Sequence, residues 1–124
     1  MSPADATRYW PVEIRANSRD RVLDVVFDNG ERFSLPAELL RVESPSAEVR
    51  GHGQGQPITV AGKRQIGIVA VEQVGNYAVR IRFDDGHDTG IFTWRYLHEL
   101  GTRRETIWNR YLARLESEGL SREP

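Results

Sequence analysis

The sequence predicts an α+β fold: small, mostly antiparallel sheets built from two β-hairpin–helix units, with a C-terminal amphipathic helix. Three observations carry that prediction. First, Leu23-Asp24-Val25-Val26-Phe27-Asp28-Asn29-Gly30 aligns with Val79-Arg80-Ile81-Arg82-Phe83-Asp84-Asp85-Gly86 at an offset of 56 residues. Second, Leu23, Val25 and Phe27 alternate with Asp24 and Val26, and Val79, Ile81 and Phe83 with Arg80 and Arg82, the period-two signal of a strand with one buried face. Each copy also ends in a dipeptide, Asn29-Gly30 or Asp85-Gly86, that accepts positive φ in a two-residue hairpin turn. Third, Trp108, Tyr111, Leu112 and Leu115 recur at i, i+3, i+4 and i+7, the spacing of one helical face.

The elements follow in order. Val12 and Ile14 alternate with Glu13 and Arg15, enough for a short first strand. The repeat then gives a strand over 23–27, a return strand over 31–35, and a helix for which Pro36 suits the first position. Between the copies, 43–62 carries Pro45, Gly51, Gly53, Gly55 and Pro57, too many breakers for a regular element, so a loop is expected. Ile66, Ile68, Val69 and Val71 mark a strand over 65–74, and Gly75-Asn76 turns it into the strand 77–83. The second copy continues with a strand over 87–92, Thr93 as N-cap and a helix over 94–100. Gly101 is expected to separate that helix from the last one, which Thr102-Arg103-Arg104-Glu105 opens as a capping box and Gly119 stops. The chain is thus one domain over 1–124, with the last helix at about 102–118 and fraying expected before Tyr9 and after Leu120.

Composition bounds the function. Hydrophobic residues make up 39% and charged residues 28%, which fits neither a disordered chain nor a membrane one. The net charge of −1 gives no global field toward nucleic acid or acidic lipid. Lys63 is the only lysine among 17 cationic residues. The absence of cysteine excludes disulfides, thiolate zinc sites, iron–sulfur ligation by this chain alone and a thiol nucleophile. No apolar run follows positive charge near the N-terminus, so a cytoplasmic location is expected.

Several chemistries can be tested by spacing. The run Gly51-His52-Gly53-Gln54-Gly55 invites a phosphate loop, yet a Walker pattern ending at Gly62-Lys63 needs Gly where Pro57 stands and Ser or Thr where Arg64 stands. Ser44, Ser46, His87 and Asp88 are the members available for a hydrolytic triad, but neither serine sits in a nucleophile elbow. The facial-triad pattern His-x-Asp/Glu fails at all three histidines, because Gln54, Thr89 and Leu100 follow His52, His87 and His98 at the required spacing. His87 beside Asp84, Asp85 and Asp88 remains a candidate metal ligand, with two acids as turn formers on the simpler reading. His98, beside Trp94 and Leu97, reads as packed. Arg80, Arg82, Arg95, Arg103 and Arg104 with Trp94 or Tyr77 are the material for a single-strand nucleic-acid surface, but those aromatics fall mostly on core faces.

One set of motifs goes further. Asp28-Asn29-Gly30, Leu35-Pro36-Ala37-Glu38-Leu39-Leu40-Arg41, the run from Ser44-Pro45-Ser46 to Gly51-His52, Gly75-Asn76-Tyr77-Ala78, and Phe83-Asp84-Asp85-Gly86-His87-Asp88-Thr89-Gly90-Ile91 with Trp94 and Leu97 resemble the gamma-butyrobetaine-hydroxylase-like N-terminal domain family. The resemblance covers about residues 10–101. It implies an α+β module that occurs alone in small bacterial proteins, ahead of the oxygenase domain of carnitine-biosynthesis hydroxylases, and appended to P-loop carriers of iron–sulfur clusters. In the hydroxylases the module is a zinc-bearing dimerisation and support domain with three cysteines after a Leu-Arg pair and one later histidine. Carried over after Leu40-Arg41, the cysteine positions fall on Ser44, Ser46 and Val49, and the histidine on His87. Hydroxyls are poor zinc ligands and valine is none, so the family's zinc site is expected to be absent or far weaker here.

The expectation from residues and resemblance together is a non-catalytic protein-interaction or accessory module linked to iron handling or iron–sulfur cluster assembly. Its partner would be a protein, with neither nucleic acid nor membrane involved and a homodimer through 108–115 as an open case. The expected contact surface is Ser44, Ser46, Glu48, Arg50 and His52 near His87. No cofactor is expected; the alternative is an iron- or zinc-binding protein using His87 with Asp85 and Asp88.

Overall fold

The computed structural model describes residues 9–46 and 58–124. The first unit comprises β1 (Pro11–Asn17), β2 (Val22–Phe27), β3 (Arg32–Pro36) and helix α1 (Ala37–Val42). The second comprises β4 (Ile68–Val74), β5 (Ala78–Phe83), β6 (Ile91–Thr93) and helix α2 (Trp94–Thr102), and α3 (Arg104–Ser117) follows. Each unit is a three-stranded antiparallel sheet, ordered β1-β2-β3 and β4-β5-β6. Among the described residues no helix is long and apolar enough to cross a membrane.

The alternating patterns do what period two requires. Leu23, Val25 and Phe27 from β2 and Val79, Ile81 and Phe83 from β5 face one continuous core, joined by Leu39 and Leu40 of α1 and Leu97 and Leu100 of α2. Full burial of each such side chain stabilises the fold by about 1.5–3 kcal/mol, so the central strands carry the core. Edge strands β1 and β4 each contain a register shift, between Pro11 and Glu13 and between Ile68 and Ala70. The residues at those shifts, Val12 and Val69, are exposed. A bulge blunts an otherwise open edge against pairing with another strand.

The turns differ from the two-residue prediction in the same way in both copies. Phe27 N–H donates to Glu31 O at 2.9 Å and Gly30 N–H to Phe27 O at 3.0 Å; Phe83 N–H donates to His87 O at 2.9 Å and Gly86 N–H to Phe83 O at 3.0 Å. These are three-residue loops in which glycine alone takes the left-handed conformation, at φ 92° and 91°. Among the described residues Arg21 is the only non-glycine with positive φ, so Asn29 and Asp85 are spared a conformation that a two-residue turn would have imposed. Past the second turn, β6 starts only at Ile91 rather than at His87.

Two helix ends and one helix face also need correction. Gly101 lies inside α2, not between helices, because a Cβ there would come 2.5 Å from the Phe33 ring. Thr102 is not an N-cap: its hydroxyl donates back to the carbonyls of His98 and Glu99, and α3 begins at Arg104 without a side-chain cap. The buried face of α3 is Ile107, Tyr111 and Leu115, with Trp108 beside it and Leu112 exposed. By contrast Thr93 does cap α2, accepting Tyr96 N–H at 3.1 Å. Gly119, at φ 68°, ends α3 with the paired bonds Leu120 N–H to Leu115 O and Gly119 N–H to Glu116 O.

The segment after Leu120 is not frayed. Gly62 N–H donates to Ser121 O at 2.9 Å and Arg64 N–H to Arg122 O at 3.0 Å. Residues before Tyr9 lie outside the described ones.

The contact between Gly101 and Phe33 gives a test. Alanine is the better helix former by about 1 kcal/mol, yet Gly101→Ala is expected to lose about 1–3 kcal/mol in urea denaturation through overpacking. In a Phe33→Leu background that loss should shrink or reverse.

Candidate functional site

The candidate residues gather where the second hairpin turn meets the end of α1. Asp85 occupies the turn for a local reason: its Oδ1 accepts His87 N–H at 3.0 Å, as Asn29 Oδ1 accepts Glu31 N–H at 3.0 Å in the first copy. The remaining oxygen, Oδ2, accepts from Arg41 Nε at 2.8 Å and from Lys63 Nζ at 2.7 Å. Arg41 projects from α1 among apolar neighbours and its side chain is 5% exposed, against 19% for Asp85. A guanidinium that deep requires a carboxylate.

Burial alone pushes the Asp85 carboxyl up. Hydrogen bonds from Lys63, the His87 backbone and Arg41, with the Arg41 charge, outweigh that and hold it well below its ordinary value. Both of its oxygens are engaged.

Beside this knot, Ser44 Oγ lies 3.0 Å from His87 Nε2. Ser44 is fully buried and Ser46 nearly so, and Ser46 Oγ has no hydrogen-bond partner among the described residues. Gly90 is also part of the arrangement, since a Cβ there would overlap Ser44 Oγ. Asp84 is exposed and Asp88 half-buried. The expected contact surface is corrected in one respect: Ser44 and Ser46 lie beneath the surface, and Ser44 acts by anchoring the turn through His87. Glu48, Arg50 and His52, with Val49, lie outside the described residues. Among the described residues no three His, Asp or Glu side chains gather as a metal would need.

The same relation runs in the opposite direction. Glu31, which the repeat aligns with His87, reaches α2 through His98 Nε2 at 2.8 Å. The His98 ring is packed by Tyr9, Phe27 and Phe33 at centroid distances of 4.3, 5.3 and 5.7 Å, as a packed rather than liganding histidine should be. Each hairpin turn therefore docks on the helix region of the other unit.

The comparisons match this architecture. The family model for the gamma-butyrobetaine hydroxylase-like N-terminal domain matches residues 14–98, more than half of the chain and both hairpin units. The chain belongs to that family. Two solution NMR structures are 46% identical to this family member; one covers 94% of this chain and 91% of its own with a TM-score of 0.81, the other 100% and 92% with 0.82. A crystal structure from Acidithiobacillus ferrooxidans ATCC 23270, described as a protein of unknown function in the DUF971 family, is 43% identical. It covers 75% of this chain and 93% of its own, with a TM-score of 0.63. Among curated proteins none matches.

For this family member, Arg41, Lys63 and Gly90 were the residues that motif reasoning passed over. Two of them had a signal: Arg41 interrupts the apolar run Leu39-Leu40-Arg41-Val42, and Lys63 is the lone lysine.

Asp85→Asn should cost about 3 kcal/mol at neutral pH, since it removes the negative charge that buried Arg41 and neighbouring Lys63 both hold. Because the folded-state pKa of Asp85 is depressed, its contribution is complete above the ordinary value of 3.8 and is lost as pH falls below it. Urea unfolding at stepped pH should therefore show wild type and variant converging on the acid side of 3.8, with the full gap at pH 7.

Proposed function

We propose that this chain is a non-catalytic accessory module that works by binding a protein partner through the second hairpin turn and the segment that follows α1. The observation that carries the reading is the engagement of the polar groups there. The Ser44 hydroxyl is buried against His87, and Asp85 is filled by Arg41, Lys63 and a backbone N–H. Among the described residues there, neither a nucleophile nor a general base is left poised toward solvent, whereas the turn itself is held by these bonds with Asp84 and Asp88 at its rim. A rigid polar turn is suited to recognition. The further placement, in iron handling or iron–sulfur cluster assembly in the cytoplasm, rests on the settings in which the family's module occurs.

Metal binding is the competing reading. Its support is the meeting of Ser44 with His87 and the buried Ser46 Oγ, which has no partner among the described residues, at positions that the resemblance to the family's hydroxylases matches to zinc ligands. The donor set fits zinc poorly, as one imidazole is joined only by hydroxyls, and Asp85 has no oxygen to spare for iron.

Charge reversal at the rim separates the readings. Asp84→Arg with Asp88→Arg should leave the melting temperature within a few degrees and reduce recovery of the partner from native-cell extract at low salt by roughly tenfold or more. Unchanged recovery would count against the proposed surface. Near-stoichiometric iron or zinc in untagged protein, absent from His87→Ala, would establish the metal reading instead.

A further inference from the structure

A second polar site, built from residues other than those of the surface just described, gathers around Glu38 of α1. A cavity of about 650 Å³ is bordered by Glu38, Leu39, Thr102, Glu105, Trp108 and Arg122. Glu38 is an acid in the first turn of α1 with its side chain only 8% exposed. Both of its oxygens are taken by one guanidinium: Arg122 Nε donates to Oε2 at 2.8 Å and Nη2 to Oε1 at 2.7 Å. The Arg122 Cζ also stands 5.1 Å from the centroid of the Trp108 ring. A carboxylate at the edge and an indole at the face form the complete recognition geometry for a guanidinium.

Receptor and ligand belong to parts of the fold that differ in how firmly they are held. Glu38 and Trp108 sit on α1 and α3, whose neighbouring side chains are core. Arg122 sits on the segment beyond Gly119, which is joined to 62–64 by two backbone hydrogen bonds and an ion pair between Arg64 and Glu123 at 2.5 Å. Ser121, Glu123 and Pro124 are exposed. Such a segment opens locally at far lower cost than the core. When it lifts, a buried carboxylate stands beside an aromatic face without a cation, and Arg64 stands beside it without its acid.

We infer that Glu38 and Trp108 form a receptor for an arginine side chain followed by an acidic residue, closed in the free chain by its own Arg122-Glu123 and opened to an extended segment of a partner protein carrying the same pair. Arginine is required because lysine cannot satisfy both Glu38 oxygens in one plane. The acidic neighbour pairs with Arg64.

The test uses the full chain carrying Arg122→Ala and, as probe, a capped peptide Leu-Ser-Arg-Glu-Pro. With Trp108 indole chemical shifts as readout, the variant should bind the peptide roughly tenfold or more tightly than wild type, in which the tethered segment competes at high effective concentration. Binding should vanish in Glu38→Gln/Arg122→Ala and with a peptide bearing lysine for arginine. Peptide binding that is absent in a folded Arg122→Ala chain, or that survives Glu38→Gln, overturns the inference. If Arg122→Ala does not fold, the wild-type Arg122 Nε–H resonance serves instead. Excess peptide should move it to the free-arginine position, and a resonance that does not move overturns the inference equally.

Discussion

The two hairpin–helix units depend on reciprocal docking. Glu31, at the end of the first turn, binds His98 on α2, while Asp85 and His87, in and after the second turn, bind Arg41 on α1 and Ser44 just beyond it. A sheet with one apolar face must cover that face with a second layer, and each sheet here gains its second layer from elements of both copies around one core. The most constrained of these contacts is Arg41 with Asp85, because a guanidinium with its side chain only 5% exposed meets a carboxylate that Lys63 also holds. Its cost if broken exceeds that of an ordinary surface pair several-fold.

The two halves of this exchange have diverged in chemistry while keeping their geometry. The same three-residue loop and the same side-chain-to-backbone bond from Asn29 and Asp85 recur, yet one crossing is an imidazole–carboxylate pair in an aromatic box and the other a cation–carboxylate knot beside a serine–histidine contact. Here hydroxyl and imidazole meet directly, and Gly90 leaves the room that Ser44 needs to do so. Beyond the two units, α3 and the segment after it add a smaller cluster of Val42, Val60, Tyr111 and Leu115. Tyr111 donates its hydroxyl to Val60 O at 2.6 Å, and burial, helped by the Glu38 charge, pushes its pKa up to about 12. A tyrosine so placed is a structural donor throughout the physiological range.

Local patterns were legible wherever the physics is local. Period-two alternation identified β2 and β5 because burying one face of a pleated strand demands it. Gly30, Gly86 and Gly119 announced themselves because left-handed backbone excludes most other residues. Loop length was not legible, since Asn29-Gly30 fits a two-residue turn equally well and the choice depends on which strand residues pair across it. Gly101 misled for a related reason: a glycine near a helix end reads as a stop, and the Phe33 ring that requires it comes from a strand far away in sequence. Thr102 misled because its hydroxyl had carbonyls of the preceding helix within reach.

The two-copy plan, the central strands, the caps at Thr93 and Gly119 and the family to which the motifs belong were all readable in the chain, since each follows from residues close together in it. Which polar groups meet emerged from the packed fold alone. Arg41 with Asp85, Ser44 with His87 and Glu38 with Arg122 are separated by 44, 43 and 84 positions. A charge reveals its sign in a sequence but not its partner, because pairing depends on which buried surfaces the core brings face to face.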